Sequence, residues 1–502
     1  MTGAPQARDR SLIPPIAGDS TAGRTWARVL LAAILVAALL LRILPLTYSH
    51  FWDEAVFLQN AKVMLGARSN YDEFFLRPPA LSALYAMGFA LWDDIFVANI
   101  VQGIVTTLAV LLTFAYARRA FDATTALCAA FLLAFTPYLV ETSHELLTDM
   151  PAVASMLAAM WLFDKPGARF ALLAGVAYAL AVQTRFTSLF LIVYFVLDAR
   201  VSPRKLRRLA LLLLGAAVTI VPYLAWVRWN YGSFFYPFVL ARRIVTEWTA
   251  PVPARFYFDA LLEIFPPSLW LALGLGVLAL VARTLRRGER TDPTAMPAAL
   301  DDAAKRQIVL LLWGVLFLAY MLTIPHKEVR YLLPLAIPVA LVGGAGAAAL
   351  FSWLSRQAFL PRIVGLLLGA FIAITDDTAS FEKLADPWVD RSESEDVQIA
   401  RYLREVSKPD DTIYAAHNFP VLAFYSGRST VSLLPIQEDF EQDWPSLMTQ
   451  PGFLVYFPPS AIKETHALHL LKPDAAFLDA HPGFSPVRVF PSATVYRYDP
   501  AR

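Results

Sequence analysis

Eleven apolar runs constrain this chain more than any other feature. They lie near residues 27–47, 95–117, 123–141, 150–163, 170–183, 186–198, 208–228, 266–282, 307–324, 331–350 and 361–376. A helix crossing the hydrocarbon of a bilayer needs about 20 apolar residues, and fewer when it is tilted or half-buried. Within the bilayer every backbone N–H and C=O must find a partner inside the protein, so such runs fold as helices. The expected fold is an α-helical polytopic membrane protein with about eleven transmembrane helices. A composition of 57% hydrophobic and 17% charged residues agrees, and it excludes an ordinary soluble domain.

The positions of Lys and Arg set the expected orientation, because short cytoplasmic loops carry them in excess. Arg24 and Arg28, Arg118 and Arg119, Lys165 and Arg169, the run Arg200 to Arg208, Arg283 to Arg290 with Lys305 and Arg306, and Arg356 with Arg362 all fall on one side. That side is read as cytoplasmic, in a multi-pass protein of the plasma membrane with its N-terminus inside. Residues 80–92 (ALSALYAMGFALW) test the parity: counting these 13 residues as a span would put Arg118 and Arg119 outside. They are read as a juxtamembrane or re-entrant helix at the outer interface. In the alternative, 80–92 spans and 170–198 is a single helix. With 80–92 at the interface, loops 48–94, 142–149, 229–265 and 325–330 all face outward, as does everything after 376.

Residues 1–25, rich in Pro, Gly, Ala and Arg, read as a disordered cytoplasmic tail, followed by a membrane domain over 26–376. From 377 to 502 charges become frequent. There SESEDVQIARYLREV (392–406) has the serine start and apolar spacing of a capped amphipathic helix. DTIYAAH, STVSLLP and GFLVYF read as short buried strands. The expectation is a small soluble α/β domain on the outer face. The single cysteine, Cys128, excludes an intrachain disulfide and argues against a thiolate metal site. A net charge of +2 gives no reason to expect nucleic acid, and no Walker-type or GxGxxG loop is present to hold a soluble nucleotide.

Charge pressed against a bilayer is costly unless it has a use. The outward loops hold such charge: Asp53, Glu54, Lys62, Asp72, Glu73 and Arg77 in the first, Glu141, His144, Glu145 and Asp149 in the second, and His326, Lys327, Glu328 and Arg330 in the late one. A carboxylate can take a proton from a hydroxyl while nearby cations neutralise a phosphate leaving group, which is the chemistry of an active site at a bilayer surface. Asp53 and Glu54 are the leading pair, since Phe51 and Trp52 would bury them near lipid. The plainer reading is acids in the first turn of an interfacial helix. Arg77 before Pro78-Pro79 suits phosphate, because a guanidinium forks two bonds to it. Arg185, Lys327 and Arg330 are further phosphate candidates, with snorkelling to headgroups as the alternative. His144, His326, Glu73 and Glu328 are candidate supporting residues. The two histidines with Asp53 and Asp149 would form a metal site only if the loops met. The aromatic loop 229–265 is either an interface belt or a wall of the groove for an isoprenoid tail.

These motifs resemble the GT-C membrane glycosyltransferases. The shared features are an Asp-Glu pair directly after the first apolar run, a basic residue before Pro-Pro about two dozen residues on, an Asp at the outer end of a later span, and HKEVRYLLP at 326–334. The match is nearest to the protein O-mannosyltransferase and aminoarabinose transferase group, over roughly 1–376, although Arg77 stands where that group usually has Lys. HKEVRY also resembles the HKE-x-R-[FY] motif of lipid-linked mannosyltransferases of the endoplasmic reticulum. The resemblance implies inverting transfer of a sugar, on the outer face, from a polyprenyl-phosphate donor to a protein, lipid or cell-envelope glycan acceptor. It implies Asp53 as the base, Glu54 as its support, Arg77 and Arg330 on the lipid phosphate, and Asp149 orienting donor or acceptor. It leaves open a divalent cation, Mg or Mn, on Asp53 and Asp149. A flippase or transporter of a lipid-linked sugar is the rival class, and an oligosaccharide ligase or polymerase the rival enzyme.

Overall fold

The computed structural model describes residues 21–44, 51–67, 77–201, 206–243, 245–246, 251–288, 301–355, 393–433, 440–458 and 475–501. Its helices are α1 (Thr21–Ile43), α2 (Trp52–Met64), α3 (Ala80–Leu91), α4 (Ile95–Ala120), α5 (Ala123–Phe135), α6 (Pro137–His144), α7 (Asp149–Asp164), α8 (Ala168–Thr184), α9 (Leu191–Val201), α10 (Leu206–Tyr231), α11 (Tyr236–Arg243), α12 (Phe256–Ile264), α13 (Pro267–Gly288), α14 (Asp302–Leu322) and α15 (Ala336–Leu354). Two 3-10 stretches, Phe186–Phe190 and Val329–Leu335, lead into α9 and α15.

Helices form over each of the first ten apolar runs; the eleventh, 361–376, lies outside the described residues. Among the described residues, six helices are long and apolar enough to cross a membrane, or seven if α5 and α6 form one span bent by 56°. The bend falls at Thr136, whose hydroxyl donates back to the Leu132 carbonyl of α5, and Pro137 takes the first turn of α6, a position that tolerates proline because no N–H is needed there. Segment 80–92 forms the short helix α3, which ends in an extended residue at Trp92. Helix α7 is shorter than a full span and sits in the middle of the bundle, packed on α4 and α8. Glycines permit the closest approaches. A Cβ at Gly175 of α8 would lie 1.9 Å from the Leu212 carbonyl oxygen of α10, and one at Gly215 of α10 would lie 2.1 Å from that of Leu172. Small residues let membrane helices pack backbone to backbone in this way.

At one end of the bundle basic side chains tie the turns together. Asp164 pairs with Arg119 at 2.8 Å and Arg306 at 2.7 Å, and Arg208 donates to the carbonyls of Phe163 and Gly167. The start of α2, the turns at 145–148 and 185, and the 326–330 loop gather at the other end.

The C-terminal region contains α16 (Glu395–Val406), β1 (Thr412–Ala415), α17 (Phe419–Ser426), β2 (Ser429–Ser432), α18 (Phe440–Leu447), β3 (Gly452–Tyr456), α19 (Ala475–Ala480), β4 (Phe484–Val489) and β5 (Thr494–Tyr498). The three strands expected from sequence are present, with β1 parallel to both β2 and β3. Two more extend the sheet to the order β2-β1-β3-β5-β4 with antiparallel pairing. β4 has no alternation to betray it, because five of its six residues are exposed at the sheet edge.

One packing contact corrects the sequence reading. Trp52 does not lie against lipid: its ring meets Phe419 of α17 edge-on, at 4.6 Å between centroids. Ala55 and Val56 of α2 are fully buried in the same core as Val397, Ile413 and Phe453. The helix that carries Asp53 is therefore seated in the core of the C-terminal α/β unit.

Candidate active site

Asp53 lies in the first turn of α2, and both its oxygens meet arginine. Arg77 Nη2 donates to Oδ1 at 2.5 Å, and Arg330 Nη2 donates to Oδ2 at 2.6 Å across 277 residues of sequence. Arg330 is itself held from behind by Glu328. Glu328 accepts a hydrogen bond from the Tyr331 hydroxyl at 2.8 Å and lies 3.1 Å from His326 Nε2. Burial alone would push the Asp53 carboxyl up, but Arg77 and Arg330 outweigh it and hold it below the usual carboxylate range. For Glu328 burial is likewise outweighed, here by hydrogen bonds from its neighbours, and its carboxyl is also held low.

A second pair adjoins the first. Arg185, in the turn between α8 and the 3-10 stretch, lies 2.8 Å from Asp149 and donates to Thr148 Oγ1 at 3.1 Å. The Asp149 contact is an ion pair whose angle falls outside hydrogen-bond geometry. Arg185 also lies over the Tyr331 ring at 4.9 Å, and Asp149 is within electrostatic reach of Arg330, Glu328 and Asp53. Three carboxylates and three guanidiniums from five separate parts of the chain thus form one cluster.

The cluster opens on a cavity of about 810 Å³. Asp53, Arg77, Arg185, Arg330 and Tyr331 line its polar end. Its other walls come from the 3-10 stretch and α9 (Leu189, Phe190, Ile192, Val193), α11 (Phe238, Arg242) and the end of α14 (Tyr320, Met321, Ile324). Phe186 packs on Phe238 at 4.5 Å, and Phe190 stacks on Tyr320 at 5.0 Å. The arrangement is a cationic head pocket joined to an aromatic and aliphatic groove.

The structure brings Asp53, Arg77, Asp149, Arg185, His326, Glu328 and Arg330 together. Other sequence candidates do different work. Glu54 is buried, with Oε1 accepting from Leu146 N at 2.6 Å and Oε2 from Phe51 N at 2.9 Å, so it braces backbone and does not face the cavity. Lys327 donates to the carbonyls of Ile324 at 2.6 Å and Val252 at 2.9 Å, which clips one loop to another and spends its donors on backbone. His144 donates to the Leu41 carbonyl at 2.7 Å, tying α6 to α1 away from the cluster. Asp72 and Glu73 lie outside the described residues. Arg242 on the cavity wall was missed, since its loop reads first as an aromatic belt. Gln102 was missed too, although a polar side chain within an apolar run is itself a signal. A divalent cation fits this donor set poorly: the oxygens of Asp53 already face two guanidiniums and Asp149 faces a third. Among the described residues no three His, Cys, Asp or Glu side chains converge to hold a metal.

Two family models match the chain in tandem, the dolichyl-phosphate-mannose-protein mannosyltransferase model over residues 76–229 and the Alg9-like mannosyltransferase model over 251–381. Among curated proteins, the chain is 28% identical over 354 residues to undecaprenyl phosphate-alpha-4-amino-4-deoxy-L-arabinose arabinosyl transferase 1 of Pseudomonas fluorescens. That alignment spans 64% of this chain and 59% of the relative's own length. Among solved structures, ArnT from Cupriavidus metallidurans bound to undecaprenyl phosphate superposes with a TM-score of 0.64 at 14% identity, covering 94% of this chain and 98% of that one. The Archaeoglobus fulgidus oligosaccharyltransferase superposes with a TM-score of 0.59 at 13% identity, covering 88% and 70%. At such identities the superpositions speak for the fold alone. The chain is therefore similar in fold to ArnT and to the oligosaccharyltransferase, and its membrane part is similar in sequence to two mannosyltransferase families.

Proposed function

We propose that this protein is an integral membrane glycosyltransferase that moves a sugar from a polyprenyl-phosphate donor to a hydroxyl of a protein, lipid or envelope-glycan acceptor, with inversion. The observation that carries the reading is Asp53: a carboxylate between two arginines, at the junction of a cationic pocket and an apolar groove. A polyprenyl-phosphate sugar has the matching parts, an anionic ester beside a long isoprenoid tail. The curated relative's name, an undecaprenyl-phosphate-dependent sugar transferase, supports the same donor class.

In this reading the phosphate draws Arg77 and Arg330 toward itself and so releases Asp53, which takes the proton of the acceptor hydroxyl. The acceptor oxygen forms its bond to the anomeric carbon on the face opposite the breaking carbon–oxygen bond. Polyprenyl phosphate leaves with the electron pair, and its growing charge is met by arginines fixed in a low-dielectric site. Arg185 is a third contact for the leaving phosphate, oriented by Asp149. Arg242, on the groove wall, is placed to meet an entering anion. The basic turns at the opposite end of the bundle favour that end as cytoplasmic, which puts the site and the C-terminal unit outside. A flippase would call for ionisable groups at mid-span in paired half-helices, whereas these charges sit at one end.

The test is release of free polyprenyl phosphate by purified protein in lipid, given a panel of polyprenyl-phosphate sugars and an envelope extract. Sugar-dependent release should fall by about 1,000-fold or more in Asp53→Asn, which removes the base and little volume. Movement of the lipid between leaflets with no release from any donor would instead support the flippase.

A further inference from the structure

Three buried side chains behind the site are tied to one another through a single loop. Tyr85 of α3, Gln102 of α4 and Glu54 of α2 are 0%, 1% and 3% exposed. The Tyr85 hydroxyl donates to Gln102 Oε1 at 2.9 Å, which fixes the orientation of the amide. Gln102 Nε2 is thereby aimed at the loop between α6 and α7, where it donates to the carbonyls of Glu145 at 2.7 Å and Leu147 at 3.0 Å. Between those carbonyls, Leu146 N donates to Glu54 Oε1 at 2.6 Å. Three successive residues of the loop are gripped, and the next two are Thr148 and Asp149, the partners of Arg185. Glu54 is the neighbour of Asp53 and also closes the first turn of α2 by accepting from Phe51 N.

We propose that Gln102, oriented by Tyr85, is a positioning residue for the transfer reaction. With Glu54 it sets the register between the helix that carries the base Asp53 and the loop that aims Arg185. The inference rests on the transferase reading above. A buried amide in a membrane helix must have its donors and acceptor satisfied; here the donors are spent on this one loop and the acceptor on Tyr85. Misplacement of a group by about 1 Å costs up to about 100-fold in rate. Arg77 and Arg330 make no hydrogen bond to Gln102 or to the 145–147 loop, so the ground-state hold on the donor phosphate is largely spared, and the loss falls on the contact of Arg185 with the charge that grows on the leaving phosphate.

The test compares Gln102→Met, which keeps volume and loses both donors, with Gln102→Glu, which keeps volume and polarity but turns an acceptor toward two carbonyls. Per folded protein, each should lower kcat by about 30- to 100-fold, with the donor KM within about threefold of wild type. In Gln102→Glu the fraction that carries a proton at this position regains one donor. Its kcat relative to wild type should therefore rise as pH falls, while Gln102→Met should show no such rise. Wild-type release reports on the transferase reading, and the variant ratio reports on this proposal. Modification by phenylglyoxal, read by mass spectrometry at Arg185 against Arg77, checks the loop without turnover: Arg185 should react faster in Gln102→Met. An unchanged kcat per folded protein, or an unchanged Arg185 rate, would overturn the proposal.

Discussion

Asp53 is legible in the sequence as a candidate because an acid after an apolar run demands an explanation, but its clamps are not. Arg330 is 277 residues away, and only folding makes the two neighbours. Glu145 shows the reverse case, a plain loop acid whose burial, with Glu54 nearby, pushes its carboxyl up to about 8. Between its ordinary value of 4.5 and about 8 the folded carboxyl holds a proton that the unfolded chain has lost. The folded state binds more protons across that window, so stability falls as pH rises through it and levels off above. Glu145→Gln should remove this dependence: melting temperatures in detergent should match wild type near pH 5 and exceed it near pH 9. A constant difference at all pH values would be the wrong outcome for this account.

At the level of elements, apolar runs and caps gave helix positions to within a few residues over most of the bundle, because the bilayer admits little else. Contacts between helices were hidden, since they depend on small residues that have no periodic signature. The crossing of α8 and α10 is the case in point, with Gly175 and Gly215 each against the other helix's backbone. Gly215→Val should force the pair apart at about 1–3 kcal/mol. Because α8 ends beside Arg185, polyprenyl-phosphate release per folded protein should fall with the melting temperature. A variant with wild-type melting behaviour would show that the helices separate freely here. Lys327 teaches a related lesson, since a charge in a short loop reads as a phosphate ligand while its donors go to the backbone carbonyls of Ile324 and Val252.

Over the whole molecule the C-terminal unit contributes structure to the site: α2 is shared between the cluster around Asp53 and the core around Phe419. Phe419→Ala, outside the cavity lining, should cost about 3–5 kcal/mol in the stability of that unit. It should also reduce turnover by loosening α2, and rates at saturating donor and a melting curve would check both effects. Full turnover with a destabilised C-terminal unit would mean that α2 holds its place without it. The sequence by itself determined a polytopic helical bundle, the helix positions, the three strands β1 to β3 of the sheet and the residue types of the site. Those follow from hydropathy, local periodicity and the cost of charge at a bilayer, which are properties of short stretches. Only the tertiary structure decided which charges meet, that Trp52 packs on Phe419, and that Gln102 holds the loop before Asp149. Such pairings join residues tens to hundreds of positions apart, and their energy depends on distance and burial that no local pattern contains.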